Sequence, residues 1–230
     1  MIYMKDNIIS NKYVKKTKPS WEKNGFNVEL YDACTPKNQN SYINPLYKLN
    51  FDRIHSHRPR EFSETEIAIW YSHFKLWMHS FIFKENIIIV EHDCLMVIKI
   101  NDDYFSSNKS PIITLCHGDA RTFPCAKHCQ CEDCSSIRSR RRSTIGGGYF
   151  LTPEAAGILI SWALQDSGNK GIRINSDGHI HALSTFYKKK GYLTDDPKYS
   201  YQYTDLNLGT TIDHGKNVVG ESWKVDYANI

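Results

Sequence analysis

Two carboxylates flank a histidine at the end of an apolar run. Residues 87–90, of sequence IIIV, lead directly into Glu91, His92 and Asp93. A buried strand has no use for charge, so these acids are expected where the strand emerges from the core. Alternation along an extended chain places residues 91 and 93 on one face and residue 92 on the other. Two carboxylates on one face repel each other unless a cation lies between them or one stays protonated.

A divalent cation would relieve this repulsion. Mg²⁺ or Mn²⁺ accepts one or two carboxylates and completes its shell with water and substrate phosphates. In the alternative interpretation, Glu91 caps a neighbouring helix and Asp93 makes a surface turn. Spacing alone does not separate a metal site at Glu91 and Asp93 from this structural arrangement.

A second group of candidate catalytic residues lies in the sequence NSDGHIHAL. It places Asp177, His179 and His181 within five positions. A hydroxyl that attacks an electrophilic carbon must lose its proton to a general base, and carboxylates and imidazoles can accept it. Alternatively, Asp177 and Gly178 form a tight turn, since Asp-Gly is a common turn pair. The two histidines would then be ordinary half-buried imidazoles.

Helices and strands alternate around these groups. Ser63 and Glu66 have the spacing of a capping box and predict a helix start. The residues that then recur at helical spacing are Ile67, Trp70, Tyr71, Phe74, Trp77, Met78 and Phe81. Thr152 and Pro153 predict the N-cap and first residue of a second helix. Strands are predicted at 27–33, at 87–90, at 111–116 and after a glycine run. In the first of them, Val28, Leu30 and Ala33 are predicted to face inward. A loop is predicted over 35–60. This alternation predicts an α/β fold with a mostly parallel central sheet.

The order of these elements resembles glycosyltransferase family 25, which includes bacterial lipopolysaccharide sugar transferases and collagen galactosyltransferases. The residues that carry the resemblance are Glu66, Ile67, Ser72, His73, Leu76, Trp77, Glu91, Asp93, Gly147 or Gly148, Tyr149, Ala155, Ala156 and Asp177. It implies a GT-A-like single domain over residues 1–230, a UDP-sugar donor, and Mn²⁺ or Mg²⁺ on the donor diphosphate. His92 stands where the family has an acid; it is either a nitrogen ligand, which would favour Mn²⁺, or a side chain that points away from the metal, which we favour.

The resemblance also implies roles for individual residues. It makes Asp177 the general base of an inverting transfer. The segment NSDGHIHAL itself adds His179 as a second catalytic candidate. The predicted donor contacts are Ser72, His73, Glu91, Gly147, Gly148 and Tyr149. By itself, a histidine within a long amphipathic helix is more often a core residue, and a glycine triplet is a weak phosphate signature.

A cysteine-rich and arginine-rich segment at 117–144 interrupts the pattern and is predicted to be an insertion. Its four thiols, Cys125, Cys129, Cys131 and Cys134, could hold a structural Zn²⁺. Four arginines follow at Arg138, Arg140, Arg141 and Arg142 and could grip phosphates. These features, with a Lys-, Asn-, Ile- and Tyr-heavy composition, make double-stranded phage DNA with hydroxymethylated cytosine the predicted acceptor. The alternatives are a lipopolysaccharide or other glycan acceptor, and a non-catalytic nucleic-acid-binding zinc module on a degenerate transferase fold.

Composition places the chain among ordinary globular proteins. Its 230 residues are 40% hydrophobic and 23% charged, with a net charge of +4 that says little about partners. No apolar run reaches the length of a transmembrane helix, and the N-terminus lacks the features of a secretory signal. These observations predict a cytoplasmic protein. Cys34, Cys94 and Cys116 are then expected to be reduced packing residues.

Overall fold

Helices and strands alternate along the chain, as the sequence predicts. The computed structural model describes residues 1–42, 48–52, 61–96, 100, 103–115, 148–194 and 201–203. Within these residues the helices are α1 (Ile8–Glu22), α2 (Gln39–Tyr42), α3 (Glu64–Phe83), α4 (Tyr104–Ser107), α5 (Pro153–Asn169) and α6 (Ser176–Lys189). The strands are β1 (Ile2–Tyr3), β2 (Tyr31–Asp32), β3 (Ile87–Val90), β4 (Cys94–Met96), β5 (Ile112–Thr114), β6 (Gly148–Leu151) and β7 (Tyr201–Tyr203).

The predicted capping box begins α3. The Ser63 hydroxyl accepts a hydrogen bond from the Glu66 backbone N–H at 3.2 Å, and the Glu66 carboxylate accepts one from the Ser63 N–H at 2.9 Å. Together these bonds satisfy two amide donors that a helix start leaves free. The helix ends at Lys84, whose φ of 59° is the left-handed conformation of a helix C-terminus.

The described strands form three small sheets, of which the central three-stranded one is antiparallel, so the prediction of a mostly parallel sheet is wrong for these strands. β6 lies between β3 and β5 and is antiparallel to both. β1 pairs in parallel with β2, and a parallel bridge from Ile2 to Glu91 joins β1 to the end of β3. The prediction failed because a short, uniformly apolar strand reveals that both of its faces are buried and does not reveal its direction.

Two layers of helix cover the two faces of the sheet. On one face, Ile89, Tyr149 and Leu151 belong to a cluster built with α3, α5 and α6. On the other face, Val90 and Phe150 belong to a cluster that includes residues of α1. Neighbouring residues of one strand therefore enter different clusters, which is the alternation expected of a strand.

Several local predictions are wrong. The strand predicted at 27–33 is reduced to β2, and Leu30 is 41% exposed instead of facing inward. The loop predicted at 35–60 contains α2 and a bridge from Phe51 to Ile172. Nor is the Asp177–Gly178 pair a tight turn, because both residues lie in the first turn of α6, where the Asn175 side chain accepts a hydrogen bond from the Gly178 N–H at 3.0 Å. An N-cap of this kind lets a Gly-containing segment begin a helix despite its low propensity.

Candidate functional site

The acid at the end of β3 lies on the sheet face covered by α3, α5 and α6. Glu91 follows Ile89 and Val90 and is bridged to Ile2 of β1. Burial raises its pKa well above the ordinary value, and the negative charges of Asp93 and Asp177 raise it further. Carboxyl groups from two distant parts of the chain therefore act on Glu91. We call Glu91, Asp93 and Asp177 the acidic site.

Asp177 reaches this site from the first turn of α6. The loop before α6 is fixed to α3, because the Trp70 indole N–H donates to the Ile174 carbonyl at 2.9 Å. Gly171 lies in the same loop at φ +88°, where an added Cβ would fall 2.6 Å from the backbone nitrogen of Asp52. That position therefore requires glycine. Burial raises the pKa of Asp177 to about 6, and this outweighs the opposite effect of a helix N-terminus on a carboxylate.

Tyr149 joins α3 to the acidic site. Its hydroxyl oxygen lies 2.8 Å from Trp77 Nε1, which donates to it, and 2.8 Å from His73 Nδ1. The three side chains are buried together, and the rings of His73 and Tyr149 stack with centroids 5.8 Å apart. Burial raises the pKa of Tyr149 well above its usual value, and the charges of Asp177 and Glu91 add to this effect. The phenol hydroxyl is therefore neutral and close to the acids.

The imidazole of His73 is also uncharged. Burial lowers its pKa to about 4, so it is neutral at physiological pH. Ser72, the neighbouring predicted donor contact, holds the core together instead of pointing to the acids. Its hydroxyl donates to the Ala68 carbonyl at 3.1 Å and accepts from the Cys34 N–H at 2.9 Å. Cys34 is buried as predicted, and burial raises the pKa of its thiol to about 12, so the group stays protonated.

The glycine predicted to approach the donor is part of the sheet. Gly148 begins β6 opposite Val90, and its carbonyl accepts a hydrogen bond from the Leu115 N–H at 3.0 Å. Gly147 lies outside the described residues. Of the predicted donor contacts, the structure brings Tyr149 together with Glu91, and His73 contacts Tyr149.

His92 lies on the opposite side of the sheet from Glu91, as strand alternation predicts. Its ring packs against Tyr13 of α1 with centroids 5.7 Å apart, and burial lowers its pKa. Within the described part of the chain, its Nε2 atom has no hydrogen-bond partner. The ring therefore belongs to the layer between the sheet and α1.

His179 is separated from the acidic site although it lies two residues from Asp177. Its Nε2 atom is 3.1 Å from the Asp166 carboxylate of α5, and its ring packs edge-on against Trp70 at 4.9 Å. Positions two apart on a helix point in nearly opposite directions, so Asp177 and His179 enter different environments. His181, the other histidine of this segment, is exposed.

The acidic site suits a divalent cation only if the substrate completes the shell. Among the residues that the structure describes, no group of three or more His, Cys, Asp or Glu side chains is placed to hold a metal. Glu91 and Asp93 still supply two carboxylates, the number that Mg²⁺ takes from a protein when phosphates provide its other ligands. The predicted zinc ligands Cys125, Cys129, Cys131 and Cys134 and the arginines at 138 and 140–142 lie outside the described residues.

Sequence reasoning missed the roles of three side chains at this site. Trp77 and Trp70 have the pattern of apolar residues on a buried helix face. Yet the indole N–H of Trp77 donates to the Tyr149 hydroxyl, and that of Trp70 donates to the Ile174 carbonyl before α6. Asn175 is the third, and its side chain caps the N-terminus of the helix that carries Asp177. The available signal for Asn175 was Asn-Ser-Asp at the start of a histidine-containing segment, which is a common N-cap composition.

The chain has a relationship to known proteins over most of its length. A family model described as glycosyltransferase family 25 (LPS biosynthesis protein) matches residues 7–166. A search of curated proteins found no match. The matched segment contains His73, Glu91, Asp93 and Tyr149, whereas Asp177 lies beyond it. No helix among the described residues is long and apolar enough to cross a membrane.

Proposed function

The chain belongs to glycosyltransferase family 25, and from this premise we propose that it transfers a sugar from a nucleotide-sugar donor to a hydroxyl group of a glycan at the acidic site. The observation that carries the proposal is the meeting of Asp177 with Glu91 and Tyr149, three residues supplied by different elements. Each of these residues is also matched in the resemblance on which the family was predicted. Their electrostatic coupling supports the proposal of a single shared site.

Asp177 is the proposed general base. In the transfer, the acceptor oxygen forms a bond to the anomeric carbon, its proton passes to the Asp177 carboxylate, and the bond to the departing nucleoside diphosphate breaks. A carboxyl group with a pKa of about 6 is ionised at neutral pH. It is also a stronger base than an ordinary aspartate, which favours proton abstraction.

Glu91 and Asp93 are proposed to face the diphosphate of the donor. Burial and the charges of Asp93 and Asp177 raise the pKa of Glu91 well above its ordinary value, which disfavours its ionised form when no cation is bound. A cation at these two residues, Mn²⁺ or Mg²⁺ as predicted, would supply positive charge to the departing diphosphate. Tyr149, oriented by Trp77 and His73, would present a neutral hydroxyl to the donor without adding charge.

The acceptor is proposed from the family description, which names lipopolysaccharide biosynthesis. The DNA acceptor predicted from the sequence depends on the cysteines and arginines of residues 117–144, none of which the structure describes. A UDP-sugar is the donor predicted by the resemblance. The non-catalytic alternative, a nucleic-acid-binding module, depends on the same undescribed segment.

The test is a mass measurement of acceptors after incubation with a panel of UDP-sugars. Oligosaccharide acceptors of the lipopolysaccharide core and hydroxymethylcytosine duplex DNA are offered separately, with Mn²⁺, Mg²⁺ or a chelator. We expect a mass increase of one sugar on an oligosaccharide, loss of this product in Asp177→Asn and retention in the matched variant His179→Gln. Product on DNA alone would overturn the glycan proposal. Nucleotide release that persists at full rate in Asp177→Asn would overturn the role of the base.

A further inference from the structure

Helix α1 has a lysine-rich surface that sugar transfer does not use. Its buried residues are Ser10, Tyr13, Val14, Thr17 and Trp21. At about 100° per residue, the opposite side of the helix is formed by seven exposed positions. These are Ile8, Lys12, Lys15, Lys16, Pro19, Glu22 and the C-cap residue Lys23. We call this set the lysine face.

The positive charge of the lysine face is not balanced within its own helix. Glu22 is the only acid in the sequence of α1, and it forms an ion pair with Lys18, which lies beside the face. Lys12, Lys15 and Lys16 project together from the middle of the helix. Cations grouped on one surface create a local positive potential that attracts a polyanion.

An exposed apolar side chain distinguishes this surface from an ordinary solvated charged face. Ile8, at the first turn of α1, is 73% exposed and lies in line with Lys12 and Lys15. A polyanion made only of phosphates and sugars gives an isoleucine nothing to pack against. The surface of a bilayer supplies both anionic headgroups and an apolar region beneath them.

The lysine face is the outer side of the helix that supports the acidic strand end. The Thr17 hydroxyl donates to the His92 carbonyl at 2.7 Å, and the Trp21 indole N–H donates to the Cys94 carbonyl at 2.8 Å. These two carbonyls flank Asp93 in the chain. An anionic partner bound by Lys12, Lys15 and Lys16 would therefore lie one helix diameter, about 10 Å, from the segment that carries the acids.

We propose that the lysine face docks the protein on a bilayer surface rich in anionic lipid. The lysines supply charge complementarity to the headgroups, and Ile8 enters the interfacial region. The docking is peripheral, because the apolar side of α1 is already packed against the sheet. Since each lysine near an anionic surface strengthens binding about fivefold, three lysines account for about a hundredfold. The proposal does not depend on sugar transfer.

The first experiment measures binding of the full chain to vesicles by cosedimentation. Vesicles of phosphatidylglycerol and phosphatidylcholine are compared with vesicles of phosphatidylcholine alone, at low and at physiological salt. The triple variant Lys12→Gln, Lys15→Gln, Lys16→Gln is matched by Lys109→Gln, Lys170→Gln, Lys189→Gln, which removes the same charge from exposed positions elsewhere. We expect salt-sensitive binding to the anionic vesicles, lost about a hundredfold in the first variant and less than fivefold in the second.

Ile8→Ser provides a separate test of the apolar contact. Because Ile8 is mostly exposed in the folded protein, its replacement leaves folding intact, and we expect about fivefold weaker binding to anionic vesicles. Thermal unfolding of each variant verifies the fold.

Three outcomes would overturn the proposal: absence of binding to anionic vesicles, equal losses in the two triple variants, or duplex DNA binding that the first triple variant loses while vesicle binding is unchanged. Nucleotide release on a soluble acceptor is measured in the same variants. Normal release with lost vesicle binding supports docking, and since vesicle binding needs no acceptor, the two proposals fail separately.

Discussion

Two sides of helix α6 carry titratable side chains in different surroundings. On one, Asp177 acts on Glu91 and Tyr149, and the charges that raise the pKa values of these two groups are negative. On the other, His179 Nε2 lies 3.1 Å from the Asp166 carboxylate, and the His179 ring packs edge-on against Trp70. The first environment disfavours the ionised form of its acids, whereas the second pairs an imidazole with a carboxylate.

The comparison teaches that residue type and sequence proximity do not identify a catalytic group. Both residues are predicted catalysts that lie within one turn of the same helix. A group paired with a partner of opposite charge contributes to the fold, whereas a group buried among like charges costs stability and is retained for another reason. This criterion favours Asp177 over His179 as the proposed general base.

Replacing Asp177 by Asn should give the largest effect. Loss of the general base is expected to lower kcat/KM for sugar transfer by a factor of about 10² to 10⁴. Steady-state nucleotide release measures the change, and His179→Gln serves as the matched variant, expected to remain within about threefold of the wild type. If His179→Gln lost as much activity as Asp177→Asn, the distinction between the two sides of α6 would fail.

Removing the Tyr149 hydroxyl should have the next largest effect. Tyr149→Phe leaves the buried indole N–H of Trp77 without its acceptor, which costs about 1–3 kcal/mol of the free energy of unfolding. We also expect kcat/KM to fall by about tenfold because the hydroxyl next to the acids is lost. Urea unfolding and donor kinetics are measured together. Reduced stability with unchanged kinetics would assign Tyr149 to the core alone.

Replacing Asp177 by Asn should change how the stability of the protein depends on pH. Its pKa is about 6 in the folded protein against 3.8 for the free side chain, so folding favours the protonated form. Wild-type stability is therefore lowered as pH rises from about 4 through 6, and Asp177→Asn escapes this loss. We expect the variant to be more stable by roughly 3 kcal/mol at pH 8 and close to the wild type at pH 4. A difference that did not vary with pH would contradict a buried, ionising Asp177.

Activity should follow the same ionisation. Since the base acts as a carboxylate, kcat/KM is expected to fall by about tenfold for each pH unit below 6. A profile that stayed flat to pH 5 would show that a group with a lower pKa accepts the proton. The measurement is made on the wild type with buffer mixtures of constant ionic strength.

Replacing His179 by Gln should have the smallest effect, and on stability. The variant loses an imidazole packed against Trp70 and weakens the contact to the half-exposed Asp166. We expect a loss of about 1 kcal/mol in the free energy of unfolding, with no change in the pH profile of activity. A displaced pH profile would instead place His179 in the proton-transfer step.

Much of the local structure around the site was predictable. The α3 capping box, the IIIV strand and the Thr152 N-cap each depend on neighbouring residues, and the structure confirms all three. Strand direction and the true extent of β2 were not predictable, because they depend on partners far away in the chain. At the start of α6, the local preference of the Asp-Gly pair is a turn, and the Asn175 cap together with the packing of α6 on the core overrides it.

The sequence by itself determined which residue types were available for chemistry and which helices and strands would carry them. It did so because capping, strand alternation and helical periodicity act over a few residues. Only the tertiary structure decided that Asp177 faces Glu91 while His179 faces Asp166, and that Tyr149 is held by Trp77 and His73. Those relations join residues of different helices and strands, and burial and charge at such contacts are properties of the assembled core.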